Sequence, residues 1–456
     1  LHGLDLFMPK HVISRGLDIP IKGAATEEPV VLEPPKSVAY DPTEFRGFSP
    51  RLAAREGDVV ERGSTLLFHK SNPDIKLLSP VAGKVAEIRR GKRRVITDVV
   101  IECAGDATVS FKQWELSSLK GISREDAKNG LLAGGLWPTL RTRPLNQLAN
   151  PDTSPQSILV GAYETGPLQP GAEALMSADD RDAFQAGIWV LKALTDGKVF
   201  LTHGPTSHPA LANIDGADAH EFKGPHPAGD PTVQVNLIDP PRGTNEVWWA
   251  RAWDVVLIGQ LFLSGEFPAE RIYAVVGVGA KTPRFVKTVV GAPLKHIVGE
   301  AIDDARWIRG SVLSGEAVDA DRWAPFYARA VHVLPAKVER YTFGWALPAL
   351  GKHSVHRAFL SGTLKPKGPY DMRPALHGGV RAMIPVGAYN KVICTPDIMP
   401  EFLFKAIITA DLEEALKLGL LDISEEEAAL CTYVCPSKPQ LDVVLREGLD
   451  QYIRES

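Results

Sequence analysis

Hydrophobic positions in residues 15–105 occur in short runs that turn residues interrupt. Pairs such as Gly57-Asp58, Arg62-Gly63 and Ala82-Gly83 break the chain every few residues. Short apolar runs bounded by glycine, aspartate and asparagine are typical of strands and hairpins. The pattern therefore predicts a β domain over residues 15–105.

The hydrophobic period changes between residues 106 and 265. Asp182–Thr195 carries apolar residues at helical spacing, and short apolar runs at Ser157–Val160 and Lys198–Thr202 flank it. A strand, a helix and a second strand joined by short links predict a parallel, Rossmann-like α/β domain. Within the same region Thr232–Ile238 alternates apolar and polar residues, which predicts a half-buried strand.

The last two regions of the chain differ in their predicted structure. Arg271–Gly277 has the composition of a strand, and we expect residues 266–345 to form a β-grasp, SLBB-like module with one short helix. Helix caps at Asp411 and Ser424 precede apolar periodic segments. We therefore expect residues 346–456 to form a linker and a C-terminal helical domain, and the fold class is multidomain α/β.

Composition narrows the class of protein. The 456 residues suffice for two to four domains, and 51 basic against 55 acidic residues leave a net charge of −4. A mildly acidic chain does not favour nucleic acid as a partner. Four cysteines are too few for a disulfide scaffold, and no apolar run approaches the roughly 18 residues of a membrane span. We expect residues 1–14 to be an N-terminal extension or tag.

A loop rich in glycine and proline at residues 134–144 combines an aromatic residue with two cations. Trp137 offers a flat apolar wall, and Arg141 and Arg143 offer forked donors for carbonyl, carboxylate or phosphate oxygens. These features suit a quinone ring, a flavin phosphate or the surface of a partner protein. The alternative is a loop at a domain junction in which both arginines form structural salt bridges.

His226 lies between Pro225 and Pro227 in a second rigid loop. A group that titrates near neutral pH and is fixed in this way can serve proton handling. A structural turn is the simpler interpretation.

Cys431 and Cys435, followed by Pro436, resemble the end of a ferredoxin-type cluster motif. A four-iron cluster needs about four thiolates, and the upstream cysteines are missing. The alternatives are two buried structural cysteines, a metal site completed by a partner, and a redox disulfide. Two histidine pairs lack the nearby ligands that zinc requires, namely His203 with His208 and His353 with His356.

Gly57–Leu67 followed by Ser79–Ile88 resembles the paired turn and strand of lipoyl and biotinyl domains, which implies a barrel-sandwich fold. The carrier lysine of that family lies in the hairpin between these segments, where this chain has Asn72-Pro73-Asp74. Lys70 and Lys76 are off-register. The resemblance therefore implies the lipoyl-like fold without the swinging-arm function.

Five segments, taken in order along the chain, resemble the NqrA family, whose members are subunits of the Na+-translocating NADH:quinone oxidoreductases. They are Ser14–Gly23, Ser79–Val85, Gly135–Pro144, Gly224–Gly229 and Leu430–Pro436. The resemblance implies a peripheral subunit on the cytoplasmic side of a bacterial inner membrane. The complex of that family passes electrons from NADH to ubiquinone and exports Na+.

The same resemblance implies that this protein binds no redox cofactor of its own. FMN, riboflavin and a 2Fe-2S cluster then belong to sister subunits, and the expected partners are the membrane component NqrB and the component NqrC. The domain order also resembles the flavin subunit of respiratory complex I and the electron-bifurcating RnfC. Of their acidic Glu-x-Glu-Pro loop near the flavin, only Glu164 remains here, and their cluster cysteines are reduced to Cys431 and Cys435.

These observations predict a scaffold that supports the quinone end of the electron path. The candidate contacts with quinone or a partner are Trp137, Arg141, Arg143 and His226. Two alternatives stay open at this point, a biotin- or lipoate-type carrier component and an iron–sulfur electron carrier that uses Cys431 and Cys435.

Overall fold

The structure is a computed structural model that describes residues 8–26, 28–337, 342–343, 353–355, 360–364, 368–373 and 387–455. Residues 1–7 of the expected extension, His356 and most of the expected linker after residue 346 lie outside these ranges.

The described strands, in chain order, are β1 Lys10–Val12, β2 Val30–Val31, β3 Ser37–Tyr40, β4 Pro50–Leu52, β5 Val59–Val60, β6 Thr65–His69, β7 Lys76–Leu78, β8 Gly83–Arg90, β9 Ile96–Cys103, β10 Arg141–Arg143, β11 Ser157–Gly161, β12 Val199–His203, β13 Asp218–Lys223, β14 Val247–Arg251, β15 Glu270–Val276, β16 Arg284–Val289, β17 Ala305–Arg309, β18 Glu316–Val318 and β19 Ala330–Pro335.

The described α-helices are α1 Leu116–Leu119, α2 Arg124–Ala133, α3 Ala172–Leu175, α4 Arg181–Ala193, α5 Pro231–Ile238, α6 Ala252–Ser264, α7 Leu294–Val298, α8 Leu360–Leu364, α9 Tyr389–Val392, α10 Pro400–Ile408, α11 Leu412–Lys417, α12 Glu425–Val434 and α13 Leu441–Glu455. None of them combines the length and the apolar character that crossing a bilayer requires.

The N-terminal unit consists of two small antiparallel sheets, ordered β3-β9-β8-β5 and β4-β6-β7. Their inward residues, such as Val38, Leu67, Val85 and Ile101, are buried in a shared hydrophobic core. β6 and β7 form a hairpin whose tip contains Asn72-Pro73-Asp74, as the sequence predicts.

The second unit is built on one six-stranded sheet with the order β1-β13-β12-β11-β14-β10. All neighbouring strands are parallel except β10 and β14. The predicted parallel unit of strand, helix and strand is confirmed as β11, α4 and β12. Lys10–Val12, which we placed in the N-terminal extension, pairs with β13 as an edge strand of this sheet.

The strand predicted at Thr232–Ile238 is wrong, because these residues lie in helix α5. Asp230 caps the helix through a hydrogen bond from the Thr232 N–H to Asp230 Oδ1 at 2.8 Å, and Pro231 occupies the first turn. Val233 and Val235 belong to two different hydrophobic clusters. The alternation of apolar residues therefore reflects a short helix buried on two sides.

The third unit contains a six-stranded mixed sheet with the order β18-β17-β19-β15-β16-β2, and helix α7 packs on it. The glycines after β15 form a turn against Val333 and do not open a helix. Buried ion pairs join this unit to the N-terminal unit. Arg309 lies 3.0 Å from Asp41, and Arg322 lies 2.6 Å from Asp41 and 2.9 Å from Asp98.

Helices α9 to α13 pack around a separate core that includes Leu403, Phe404, Leu430 and Leu445. The predicted N-cap at Ser424 is confirmed, since its hydroxyl accepts the Glu427 N–H at 3.1 Å. This cap starts helix α12 with three successive glutamates, Glu425 to Glu427, in its first turn. Glu425 contacts Arg46 of the N-terminal unit, and Glu426 contacts His226 and Ser311 of the second and third units. Glu427 instead accepts backbone N–H groups within the helical region.

Candidate functional site

Residues from all four units surround a cavity of about 390 Å³. Arg46 comes from the N-terminal unit, Arg141 and His226 from the second, Tyr327 from the third, and Glu426 from helix α12. The cavity therefore lies at the junction of the four units and forms only when all four are packed together. Three of the four predicted contact residues line it, namely Arg141, Arg143 and His226.

Arg141 is held between two aromatic rings. β10 runs antiparallel to β14 and places Arg141 opposite Trp249. The guanidinium carbon of Arg141 lies 3.8 Å from the centre of the Trp249 ring and 4.5 Å from the centre of the Tyr327 ring. Such contacts stabilise a desolvated guanidinium by roughly 2 kcal/mol.

The side chain of Arg141 makes no hydrogen bond and no ion pair with any residue that the structure describes, and its Nε is buried without an acceptor. Burial lowers the pKa of Arg141 to about 10, and the neighbouring Arg251 and Arg46 act in the same direction. Buried guanidinium groups normally have paired oxygen acceptors. The structural salt bridge that the alternative interpretation gives Arg141 is therefore not formed with any described residue, and the guanidinium donors remain available to a ligand.

Arg143 behaves differently although it also lines the cavity. Its side chain is buried, and Nη2 donates to the carbonyl oxygens of Leu421 and Ile423 at 3.2 Å each. These bonds tie strand β10 to the turn before helix α12. Burial lowers the pKa of Arg143, and nearby carboxylates led by Glu425 act against that shift. Arg143 thus joins two units as well as facing the cavity.

Trp137 does not line the cavity. Its ring is 1% exposed and packs edge to face against Trp248 with ring centres 5.6 Å apart. The indole N–H donates to the Ala149 carbonyl oxygen at 2.8 Å. Trp137 lies beneath the sheet that carries Arg141, so any effect on a ligand passes through the position of strand β10.

His226 is fixed from three directions. Its backbone N–H donates to Asp18 Oδ1 at 2.9 Å, its Nδ1 lies 3.2 Å from Thr165 Oγ1, and its Nε2 lies 3.1 Å from Glu426 Oε1. Burial disfavours the charged ring, but the contact with Glu426 and the charges of Glu164 and Asp230 outweigh it, so that the pKa of His226 is raised. The ring is therefore a buried imidazole at the wall of the cavity whose protonated form Glu426 favours.

Glu164, the remaining acidic residue of the loop singled out in the sequence, also lines the cavity. Its Oε1 accepts the N–H groups of Thr165 and Gly166 at 2.8 Å, and its Oε2 lies 3.0 Å from Arg251 Nη2. The carboxylate is thus fully used within the protein. This arrangement holds the loop and neutralises Arg251.

Trp249, Tyr327 and Glu426 line the cavity and are candidate site residues that the sequence analysis missed. Trp249 lies opposite Arg141 because β10 pairs antiparallel with β14, a pairing that the sequence alone does not reveal. The glutamate run after the Ser424 cap was a signal for Glu426. Tyr327 lies in a segment without a motif, and only the tertiary structure brings it to Arg141.

Cys431 and Cys435 are both buried, and the Tyr389 hydroxyl donates to Cys435 Sγ at 2.9 Å. Burial raises the pKa of Cys431 well above its usual value, and Glu427 adds to the shift. Across the described ranges, no three His, Cys, Asp or Glu side chains are arranged to hold a metal ion. His203 contacts Met8 and the Gly204 carbonyl, and His208 caps a short turn at Ala210.

Three family models match successive parts of the chain. The NqrA N-terminal barrel-sandwich hybrid domain matches residues 11–104, the NqrA second alpha/beta domain matches residues 122–267, and the NQRA C-terminal domain matches residues 272–320. The cavity lies between these matched regions and helix α12.

Curated NqrA proteins of the Na(+)-translocating NADH-quinone reductase match the chain along almost its whole length. The protein of Pasteurella multocida is 36% identical over 97% of this chain and 99% of its own. That of Vibrio alginolyticus is 36% identical and that of Shewanella amazonensis 38% identical, with the same coverage of 97% and 99%. Among solved structures, an NAD+-reducing nickel–iron hydrogenase aligns with 51% of this chain and 52% of its own at 12% identity and a TM-score of 0.31.

Proposed function

Because the chain belongs to the NqrA family of the Na+-translocating NADH-quinone reductases, we propose that it supports electron delivery to quinone within such a complex. The family resemblance predicted from the sequence is confirmed, as are the barrel-sandwich domain, the α/β domain and the SLBB-type domain at the level of the family models. We further propose the Rossmann-like, β-grasp and C-terminal helical subtypes, with the boundaries 15–105, 106–265, 266–345 and 346–456.

The proposal also covers the location and the partners of the protein. We propose that the protein docks on the cytoplasmic side of the bacterial inner membrane against NqrB and NqrC, and that it carries no redox cofactor of its own. FMN, riboflavin and the 2Fe-2S cluster reside in sister subunits. The names of the relatives support a place in such a complex, and the use of Glu164 and Cys435 in internal contacts supports the proposal that this chain holds no cofactor.

Within the complex, Arg141, Arg143 and His226 form the contact with quinone or with the neighbouring subunit. The observation that carries this proposal is the unpaired guanidinium of Arg141, clamped between Trp249 and Tyr327 at the wall of the cavity. A planar ring with carbonyl oxygens fits this site, because the aromatic walls are flat and the guanidinium donors lack an acceptor.

The residues present can perform three tasks for such a ligand. Arg141 orients an oxygen atom and stabilises negative charge on it, because the guanidinium is desolvated and cannot be deprotonated near neutral pH. His226 holds a proton at Nε2, and Glu426 favours the protonated ring. Arg143 keeps strand β10 against helix α12 and thereby fixes the distance between Arg141 and His226.

The test uses the assembled complex with substitutions in this protein. Arg141→Gln should lower quinone reduction at least about tenfold, which corresponds to the loss of one charge-assisted hydrogen bond. Oxidation of NADH by an artificial acceptor should stay unchanged, because it does not need the quinone end of the path. Arg62→Gln is the matched control, since Arg62 pairs with Glu266 away from the cavity.

Trp137→Ala tests the fourth predicted residue through its support of strand β10. We expect reduced quinone turnover together with a lower free energy of unfolding, because a buried aromatic side chain is removed. Unchanged quinone kinetics in both Arg141→Gln and Trp137→Ala would reject the proposed contact.

The two alternative functions make different predictions. A lipoyl or biotinyl group on Lys70 or Lys76 would add a defined mass to the intact chain, which mass spectrometry detects. An iron–sulfur cluster on Cys431 and Cys435 would give visible absorption in anaerobically purified protein. We expect an unmodified mass and a colourless isolated chain.

A further inference from the structure

The turn between strands β8 and β9 is an exposed basic tip, which we define as residues 89–95. Its sequence is Arg-Arg-Gly-Lys-Arg-Arg-Val, so that five of seven residues carry a positive charge in a chain whose net charge is −4. All seven residues are exposed, including Val95, which is 47% exposed. The tip therefore concentrates charge of the sign opposite to that of the whole protein.

Few contacts within the protein neutralise this charge. Arg89 Nε lies 2.9 Å from Glu87 Oε2, and the guanidinium of Arg90 donates to the Arg94 carbonyl oxygen at 3.2 Å. Among the residues that the structure describes, Lys92, Arg93 and Arg94 have no ion pair. With Glu87 counted against five cations, the segment from residue 87 to 95 retains a net charge of +4.

The backbone of the tip presents consecutive cations outward. Arg93 has φ 55° and Arg94 has φ 62°, a left-handed conformation that favours glycine or asparagine. Arginine at both positions carries a conformational cost, and the contacts at Arg94 among the described residues involve only its backbone, whose N–H donates to the Gly91 carbonyl oxygen at 3.1 Å. The hairpin is held by a hydrogen bond from the Gly91 N–H to the Val95 carbonyl oxygen at 2.8 Å. The side chains therefore extend from a closed turn into solvent.

We propose that the basic tip binds the anionic headgroups of a phospholipid bilayer and thereby orients this protein on the membrane. A lipid surface requires charge but no shape complementarity, and clusters of four or more Lys and Arg residues suffice for such binding. The exposed Val95 beside the cations can enter the interface between headgroups and acyl chains.

The composition of the tip favours lipid over the other anionic partners. A protein interface has a buried apolar or aromatic centre, and the tip offers only Val95. Single-stranded nucleic acid is held by aromatic side chains that stack on bases, and residues 89–95 contain none. The proposal relies on the proposed function only in placing the protein at a membrane, and it does not involve the quinone contact.

The experiment is vesicle flotation with the full chain. Vesicles of phosphatidylcholine are compared with vesicles that contain roughly one third phosphatidylglycerol, at low salt and at about 0.5 M NaCl. We expect binding only to the anionic vesicles and its loss at high salt. The triple variant Lys92→Gln, Arg93→Gln, Arg94→Gln should bind about a hundredfold more weakly.

The control variant removes the same charge elsewhere. Arg51→Gln, Lys70→Gln and Lys223→Gln replace three exposed cations outside the tip, and affinity should stay within about twofold. Thermal unfolding checks that both triple variants are folded.

Equal binding by the two triple variants, or equal binding to neutral and anionic vesicles, would overturn the proposal. So would tighter retention of the protein on a polynucleotide than on anionic vesicles. Failure of the tip variant to join its sister subunits while it still binds vesicles would assign the tip to an acidic protein partner instead. None of these outcomes bears on quinone reduction by Arg141→Gln, so the two proposals fail separately.

Discussion

His226 Nε2 lies 3.1 Å from Glu426 Oε1, and this contact joins the second unit to the first turn of helix α12. Glu426 also accepts a hydrogen bond from Ser311 Oγ at 2.6 Å, which adds the third unit. The imidazole is 2% exposed, and the pair therefore lies inside the protein. One carboxylate thus holds three units around the cavity.

The first prediction concerns the pH dependence of stability. Burial lowers the pKa of His226, whereas the contact with Glu426 raises it. The net shift is upward. The stabilisation from protonated His226 is therefore complete below the usual value of 6.5 and is lost as the pH rises through the raised pKa. His226→Gln should lower the free energy of unfolding by about 3 kcal/mol near pH 6 and by less near pH 9.

Urea unfolding of wild type and variant at several pH values measures this difference. His296→Gln is the control, since the His296 ring contacts the Glu33 carbonyl oxygen at the surface. A stability difference between wild type and His226→Gln that stays constant from pH 6 to pH 9 would contradict the assignment.

The second prediction concerns Arg309, which is 4% exposed and connects the third unit to the N-terminal unit. Its guanidinium contacts Asp41 and Glu44, both of which the N-terminal unit contributes. Arg309→Met would leave Glu44 without its principal cation. We expect a loss of about 3–5 kcal/mol in the free energy of unfolding, which is typical of a broken buried ion pair.

Chemical denaturation of Arg309→Met beside Lys281→Met provides the comparison. Lys281 pairs with Glu300 in an exposed position, and such pairs contribute little. If both variants lost less than about 1 kcal/mol, the buried network would not be what holds the two units together.

Much of the fold could be predicted from local signals. The Ser424 cap predicted the start of α12, and the helical spacing in Asp182–Thr195 predicted α4. Both signals are local, because a cap acts within the first turn and the spacing relates residues on successive turns of one helix. The strand predicted at Thr232–Ile238 was wrong, because alternation of apolar and polar residues alone does not distinguish a strand from a short helix that is buried on two sides. The Asp230-Pro231 start was the local signal for the helix.

The candidate site could be predicted only in part. Arg141, Arg143 and His226 were found from their loops, since arginine and proline-framed histidine are unusual in such positions. The aromatic clamp was not, because Tyr327 is far from Arg141 in sequence and the two meet only through packing of the third unit. The burial of Trp137 could not be predicted for the same reason, since it depends on the packing of Trp137 against Trp248.

The third prediction concerns the close approach of helices α4 and α6. A Cβ on Gly259 would lie 1.7 Å from the Ala183 carbonyl oxygen, and one on Gly187 would lie 2.2 Å from the Val255 carbonyl oxygen. Gly→Ala usually stabilises a helix by about 1 kcal/mol. Here Gly259→Ala should destabilise the protein by about 1–3 kcal/mol or more, because the backbone of α4 must move.

Gly121→Ala is the control, since no atom lies within 4 Å of its added Cβ and its backbone is not left-handed. Thermal unfolding of the two variants decides the matter. A melting temperature of Gly259→Ala equal to that of Gly121→Ala would show that the helices can separate freely, contrary to the packing.

The last prediction concerns the two cysteines of helix α12. Burial raises the pKa of Cys431 well above its usual value, so that the thiol stays protonated and packs as a small apolar group in the core. Cys431→Ala should therefore cost only about 1 kcal/mol of stability. Cys435→Ala should cost about 1–3 kcal/mol, because the buried Tyr389 hydroxyl loses its acceptor.

Neither cysteine variant should change quinone reduction or iron content in the assembled complex. Cys103→Ala is the matched control, because this cysteine is only partly buried and lies in strand β9 of the N-terminal unit. Unfolding measurements, iron analysis and quinone kinetics together separate the roles. Loss of iron and of quinone reduction in a Cys431→Ala complex that remains folded would favour the iron–sulfur carrier over a structural role. Removal of one buried thiol from a core that stays folded does not by itself release iron or stop electron transfer.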